Sequence, residues 1–373
     1  MNAPLVVFGE DWGAHPSSTQ HIIRCLMDER DIVWVNSIGL RRPKITMSDM
    51  GRVFKKGLSA LSSNKGIQET ATPQAVVSPL VIPVPQNTFE RNFNRISLGP
   101  KIRQALLKLT DERPILWTSL PTAVDLLGCS HERAVVYYCG DDFSGLAGVD
   151  HSHVTQAEER LVERADLIFA ASKSLADKFP KSKTIYLPHG VDVDLFSTPS
   201  PRPADLPKDH PVAGFYGSIS DWLDVELLGQ VAQALPEWRF VFIGDIRTDV
   251  SKLMCMDNVK FLGPKPHHEL PGYAQNWSVS LLPFRDNAQI RACNPLKLRE
   301  YLSTGSPIVS TNFPALDDYR DLISVEDEPL AFAQAISNVL KHPDTKHTKR
   351  YECVANESWK DRAQAVSSLL CAL

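Results

Sequence analysis

No apolar run in this 373-residue chain approaches the roughly 18 residues that a membrane-spanning helix needs. The seven cysteines (25, 129, 139, 255, 293, 353 and 371) include no CxxC pair. That spacing argues against a zinc ribbon, and the odd count fits a reduced, cytoplasmic protein. Neither Gly9-Glu10-Asp11-Trp12-Gly13 nor Gly214-Phe215-Tyr216-Gly217 extends to the GxGxxG fingerprint, which argues against a classical dinucleotide enzyme. A GxxxxGK[ST] loop is also missing, which argues against P-loop nucleotide hydrolysis. Asp192-Val193-Asp194 spells Asp-x-Asp, but it falls in the loop after a strand and reads as turn chemistry. No metal site is expected, and no nucleic-acid motif is recognised.

What remains has the composition of a globular enzyme, with 43% hydrophobic and 23% charged residues and 27 prolines. The length suggests two domains. Met1-Asn2-Ala3-Pro4 runs straight into Leu5–Gly9, which is expected to be a first strand rather than a leader peptide. The net charge is −4, yet residues 41–108 hold twelve Lys and Arg against Asp49, Glu69 and Glu90, a local excess of +9. Such a segment is either a solvated surface or a basic face that meets an anionic membrane or a phosphorylated acceptor.

Short apolar runs alternate with helical patterns along the first half. Leu5–Gly9, Ile32–Asn36, Val76–Pro83, Ile115–Thr118, Ala134–Cys139, Leu167–Ala170 and Thr184–Leu187 read as buried strands. His21–Arg30, Arg52–Leu61, Phe93–Leu109, Val154–Ala165 and Ser172–Phe179 read as helices, with Ser172 as an N-cap. Strands without polar alternation, separated by helices, indicate a parallel sheet covered on both faces. Residues 197–211 carry five prolines and little apolar content, as an interdomain linker does. The alternation then restarts, with strands at Val212–Tyr216, Phe240–Ile243, Val259–Leu262, Val279–Leu282 and Ile308–Ser310. Helices are expected at Val225–Leu235, His268–Gln275 and Pro295–Ser303. The expected organisation is a Rossmann-like domain over 1–196, the linker, a second Rossmann-like domain over 212–355, and a tail, 356–373, packing back on the first. Trp359, Ala363, Val366 and Leu370 form the apolar stripe of a helix in that tail. Two such doubly wound α/β domains would face a central ligand cleft.

Asn294-Pro295-Leu296-Lys297-Leu298-Arg299-Glu300-Tyr301-Leu302, followed by Gly305-Ser306-Pro307, carries the most chemistry. An irregular polar loop is expected over 284–293. Asn294 suits an N-cap and Pro295 the first helical position. The first turn, Pro295 to Lys297, then stands at the positive end of the helix dipole, which is an anion site. Lys297 adds a full charge, and Glu300 lies one turn further on the same face, where a carboxylate can accept ribose hydroxyls. An ordinary capped helix with a surface Lys–Glu pair would carry the same residues.

This segment resembles the nucleotide-sugar site of GT-B glycosyltransferases, in the broad family-4 group and its bacterial exopolysaccharide relatives. His189-Gly190-Val191-Asp192 with Phe196, Gly217-Ser218-Ile219, Asn258 to Gly263 and Leu281-Leu282-Pro283-Phe284 match in the family's order. Tyr137 to Phe143 and Glu158–Ala170 resemble the mid-domain segment of teichuronic-acid-type and xanthan-pathway transferases, often glucuronosyltransferases. The resemblance implies a GT-B fold and a metal-independent glycosyltransferase with no resident cofactor. It would use a nucleoside-diphosphate sugar, with UDP favoured, and a carbohydrate or lipid-linked acceptor. The implied setting is polysaccharide assembly in the cytoplasm, peripherally at the inner membrane and without nucleic acid. A non-hydrolysing sugar-nucleotide epimerase and a non-catalytic nucleotide-binding subunit are the alternatives. Many retaining members carry a glutamate eight residues before the position of Glu300; here Ala292 stands there.

The donor-binding candidates are thus His189, Gly217, Ser218, Arg291, Asn294, Pro295, Leu296, Lys297 and Glu300. With Ala292 in place of a carboxylate, the catalytic group is expected at Asp141 or Asp142, at the carboxyl end of Ala134–Cys139. Adjacent carboxylates repel, which raises one pKa toward that of a useful general base; an N-cap or Asx-turn role is the plainer use of either. The loop after the first strand is expected at the acceptor. Trp12 and Gly13 lie there, with His15 placed to orient or deprotonate a hydroxyl.

Overall fold

The computed structural model describes residues 2–14, 17–40, 72–145 and 150–373. The expected helix at 52–61, the basic stretch 41–71 and His15 lie outside the described residues. The chain divides into two compact units, Met1–Pro188 with Arg362–Leu373, and His189–Asp361.

The first unit holds a seven-stranded sheet of β1 (Leu5–Phe8), β2 (Ile32–Val35), β3 (Ala75–Val77), β4 (Ile115–Thr118), β5 (Ala134–Cys139), β6 (Leu167–Ala170) and β7 (Thr184–Tyr186). Every pairing is parallel, and the order is β3-β2-β1-β4-β5-β6-β7. All residues of β1, β2, β4, β5 and β6 are buried. Continuous apolar runs become such strands because helices cover both faces and leave no solvated side for polar alternation. Two helices of this unit are capped as their sequences suggest: Ser17 Oγ accepts from Gln20 N at 3.2 Å, and Ser172 Oγ from Leu175 N at 3.1 Å.

The second unit repeats the plan with six strands. They are β8 (Val212–Tyr216), β9 (Arg239–Ile243), β10 (Val259–Phe261), β11 (Val279–Leu282), β12 (Ile308–Ser310) and β13 (Ser324–Val325). The order is β10-β9-β8-β11-β12-β13, again all parallel. Each sheet reverses direction of growth beside its first strand, which is where open α/β sheets bind ligands at their carboxyl edge. The proline-rich stretch 197–211 packs onto this unit. Ser200 N donates to Gln275 Oε1 at 2.7 Å, and Asp205 receives both Lys265 Nζ and Tyr273 OH at 2.7 Å. In the tail, the helix Trp359–Leu370 buries Trp359, Ala363, Val366 and Leu370, the expected stripe.

Several local expectations are corrected. The strand expected over 76–83 contracts to Ala75–Val77, because Pro79 and Pro83 cannot donate to a ladder. The segment 284–293 is not wholly irregular: Asn287 caps a short helix, Ala288–Ala292, by accepting from Ile290 N at 2.9 Å. Asn294 does not cap the next helix, which runs Leu296–Thr304 with Pro295 at the cap and no side-chain cap bond. The Asn294 side chain is instead taken by Arg299, whose Nη1 donates to its Oδ1. The helices Pro329–Lys341 and His347–Val354 and the strand β13 were not anticipated.

Candidate active site

In the second unit the chain leaves β8 at Gly217 and β9 at Gly244, next to the reversal of strand order. Gly217 has φ +135° and Gly244 has φ +141°, a region closed to other residues. The two backbones also touch: a Cβ on Gly244 would stand 2.0 Å from the carbonyl oxygen of Gly217. Gly217 N donates to Ile243 O at 2.8 Å, locking the two strand ends together. Ser218 Oγ lies 2.8 Å from Ser220 Oγ.

Onto this glycine surface falls Lys297. Its Cε would lie 2.0 Å from a Cβ at Gly217, so only glycine leaves room for it. Its ammonium stands 5.7 Å from the Phe215 ring centroid and makes no hydrogen bond or ion pair with any described residue. Loss of water lowers its pKa, and the nearby Glu300 charge opposes that shift. An ammonium held this way, on the first turn of an uncapped helix, is primed for an anion.

Glu300, one turn on, is buried and already engaged. Tyr216 OH donates to its Oε2 at 2.7 Å, and His267 Nε2 lies 3.0 Å from its Oε1. Tyr301 OH accepts from Tyr216 N at 3.1 Å, fixing the tyrosine that holds the carboxylate. The hydrogen bond to Glu300 raises the His267 pKa, against desolvation and with help from Asp192. His267 also packs edge-on to Phe196. Arg299 points the other way, into the unit: its Nε donates to Glu357 Oε2 at 2.7 Å and its guanidinium covers Tyr319. The helix Leu296–Thr304 is thus anchored by one face and carries Lys297 and Glu300 on the other.

Gly217, Lys297 and Glu300 come together, joined by Phe215 and Tyr216. Leu296 opens the helix half-buried beside them. Arg291 does not join this group. It is exposed, paired with Asp286 at 2.5 Å, and lines a separate cavity of about 580 Å³ with Asn312 and Arg320. His189 is half-buried ahead of Val191, whose N–H donates to Glu357 O at 3.0 Å. Asp192 caps the short helix Val193–Ser197, accepting from Leu195 N at 3.1 Å, in line with its turn reading.

In the first unit the loop after β1 is pinned rather than loose. Trp12 N donates to Asn36 Oδ1 at 2.9 Å, its ring meets Trp34 edge-on at 4.7 Å, and the Arg24 guanidinium covers it at 5.1 Å. Gly13 N donates to Gln20 Oε1 at 3.4 Å. After β5, the aspartate pair divides as adjacent carboxylates should. Asp142 Oδ1 receives Lys178 Nζ at 2.8 Å and Ser144 Oγ at 2.7 Å. Desolvation works against the Asp142 charge, but the Lys178 and Ser144 bonds outweigh it and lower the pKa. The Asp141 pKa is raised, first by desolvation and then by Asp142, although the residue is exposed at the surface. Beneath them Glu158 is buried, accepting from Tyr137 OH at 2.5 Å. Desolvation raises its pKa despite that bond.

A family model described as glycosyl transferases group 1 matches residues 210–342. The glycosyltransferase TuaH of Bacillus subtilis (strain 168), named for teichuronic acid biosynthesis, is 30% identical over 274 residues, covering 66% of this chain and 69% of the relative. The chain belongs to this glycosyltransferase family. Among solved structures, Anabaena Alr3699/HepE in complex with UDP and glucose superposes with a TM-score of 0.70 at 14% identity, covering 100% of both chains. Sucrose-phosphate synthase from Thermosynechococcus elongatus gives 0.70 at 14% identity over 98% of each chain. These likenesses show the GT-B fold, with two Rossmann-like parallel sheets. This glycosyltransferase is an enzyme of sugar transfer, and the family does not favour the epimerase or scaffold alternatives.

Sequence reasoning missed His267 and Tyr216 as partners of Glu300. Tyr216 ends a strand and reads as core. His267 lies in Pro266-His267-His268, where nothing in the spacing separates it from its neighbour.

Proposed function

We propose that this glycosyltransferase takes its sugar from a UDP-sugar and passes it to a carbohydrate or lipid-linked acceptor during assembly of a bacterial polysaccharide. The observation that carries the donor half is the Lys297 ammonium, without a hydrogen bond or ion pair among the described residues and laid over Gly217 at the edge of β8. The diphosphate charge is met by Lys297 and the first helical turn, so no metal ion is required in this reading. Glu300 is assigned to the ribose, with Tyr216 and His267 holding its carboxylate. Gly217 and Ser218 approach the diphosphate by backbone, Asn294 and Pro295 set the start of the helix, and Arg291 and His189 lie further out. Asp141, with its raised pKa, is assigned as the general base of an inverting transfer, and Asp142 supports it through Lys178. Trp12, Gly13 and His15 are assigned to the acceptor. The relative's role in teichuronic acid biosynthesis, together with the basic stretch 41–108, supports work in the cytoplasm, peripherally at the inner membrane face. Among the described residues no helix is long and apolar enough to cross a membrane.

A thermal-shift screen of UDP-, GDP-, ADP- and dTDP-sugars tests the donor assignment. At 100 times the Kd the true donor stabilises by about 2.7 kcal/mol, and the others do so only at far higher concentration. A chain that responds to none of them, or a Lys297→Met variant that responds as fully as the parent, would overturn the assignment.

A further inference from the structure

The helix Thr88–Leu107 is apolar on two opposite sides. One side carries Asn94, Leu98, Ile102 and Leu106, all buried in the first unit. At 3.6 residues per turn, Phe89, Phe93, Ile96, Pro100 and Leu107 fall within about 60° of arc on the far side. That side faces out: Phe89 is 78% exposed, Ile96 75% and Leu107 70%. Leu80, 69% exposed, comes from the segment alongside, where Ser97 Oγ donates to Leu80 O at 2.8 Å. Among the described residues twelve large apolar side chains are exposed, and six of them lie within 76–107. An exposed apolar run of this kind marks an interaction surface.

Charge selects the occupant. Within 72–108 there are five cations (Arg91, Arg95, Lys101, Arg103, Lys108) and a single acid, Glu90, in a chain whose net charge is −4. Lys101 and Lys108 are exposed along one flank of the apolar stripe. Arg91 is turned inward to Asp125 at 3.5 Å, and Arg95 and Arg103 donate to backbone carbonyls of 125–129. Phenylalanine and isoleucine flanked by lysine match the two layers of a lipid surface, acyl boundary below and anionic headgroups above. A neutral apolar partner would give the lysines nothing to meet.

We infer that the outer face of the helix Thr88–Leu107 seats this enzyme on an anionic bilayer, with Phe89, Phe93 and Ile96 entering the acyl boundary and Lys101 and Lys108 at the headgroups. The helix lies in the plane of the interface and does not cross it. This extends the membrane-proximal reading above and is independent of the donor assignment.

Co-sedimentation of the full chain tests it, using vesicles of phosphatidylcholine alone and with one third phosphatidylglycerol. The expected result is binding to the anionic vesicles, little to phosphatidylcholine alone, and release by high salt. A triple variant, Phe89→Ser with Phe93→Ser and Ile96→Ser, is expected to lose at least tenfold in vesicle affinity. Lys101→Glu with Lys108→Glu is expected to remove most of the preference for the anionic vesicles. UDP affinity, measured on the same preparations, is expected to be unchanged, which reports folding and keeps this test separate from the donor reading. Undiminished binding by the triple variant overturns the inference. So does a parent chain that ignores anionic vesicles, or a self-association that the triple variant abolishes, which would give the face to a second copy.

Discussion

Replacing Lys297 by methionine separates what the residue does for function from what it does for the fold. Its ammonium has lost water and has no hydrogen-bonding partner among the described residues; only the Phe215 ring and the nearby charge of Glu300 offset that loss. Its charge therefore weighs against the empty protein wherever the amine is protonated, below its depressed pKa. Methionine keeps the stem over Gly217 and removes the charge. The expected Tm without nucleotide is equal to that of the parent or higher, by up to about 4 °C for each kcal/mol relieved in a unit of this size. Catalysis is expected to move the other way. A preorganised donor facing developing charge is worth about 2.7–4 kcal/mol, so kcat/KM for the nucleotide-sugar falls about 100- to 1,000-fold. Two assays suffice, a thermal melt without ligand and initial rates with the donor varied. A variant that melts well below the parent while keeping its kcat/KM would refute the reasoning, because Lys297 would then be structural.

Gly217→Ala makes the complementary case: its φ of +135° puts a Cβ in a strained region at about 1–3 kcal/mol, and Lys297 is pushed aside. Both Tm and donor affinity are expected to drop, which melts with and without UDP would show. For the aspartate pair, Asp141→Asn is expected to lower kcat by about 100- to 10,000-fold, and Asp142→Asn by much less; equal losses in single-turnover rates would remove the assignment. Because the Asp141 pKa is raised, the parent's kcat/KM is expected to fall as pH drops through that value, with the limb absent in Asp141→Asn. The raised His267 pKa stabilises the fold fully below its unfolded value, near about 6.5, and the contribution fades as pH rises through the folded value. The Tm gap between the parent and His267→Gln is therefore expected to shrink as pH rises above the unfolded value of about 6.5, and a constant gap would contradict the Glu300 pairing.

Most of the sheet framework was legible because its strands are buried on both faces. Runs such as Ile115-Leu116-Trp117 and Ala134-Val135-Val136, short and rich in β-branched or aromatic residues, read as interior strands. The second sheet restarted on the same signal, whereas the order of strands within each sheet is set by long-range pairing that the alternation does not specify. What escaped were elements with weak local signals. β13 has two residues and depends on pairing with β12. The cap at Asn294 failed because Arg299, five residues on, claims its side chain, a competition that no local rule registers. At the candidate site, Lys297 and Glu300 were visible from helix chemistry alone. Their supports were not: Tyr216 and His267 reach Glu300 from 84 and 33 residues away, and the clearance for Lys297 depends on a glycine on another strand.

Ala292 closes its short helix with its methyl only 5% exposed, packed where many relatives of the resembled group would hold a carboxylate. Introducing glutamate there would require an ionised group to enter space shaped for a methyl, with no cation assigned to meet it. A single codon change would thus place a glutamate there without giving its charge water or a partner.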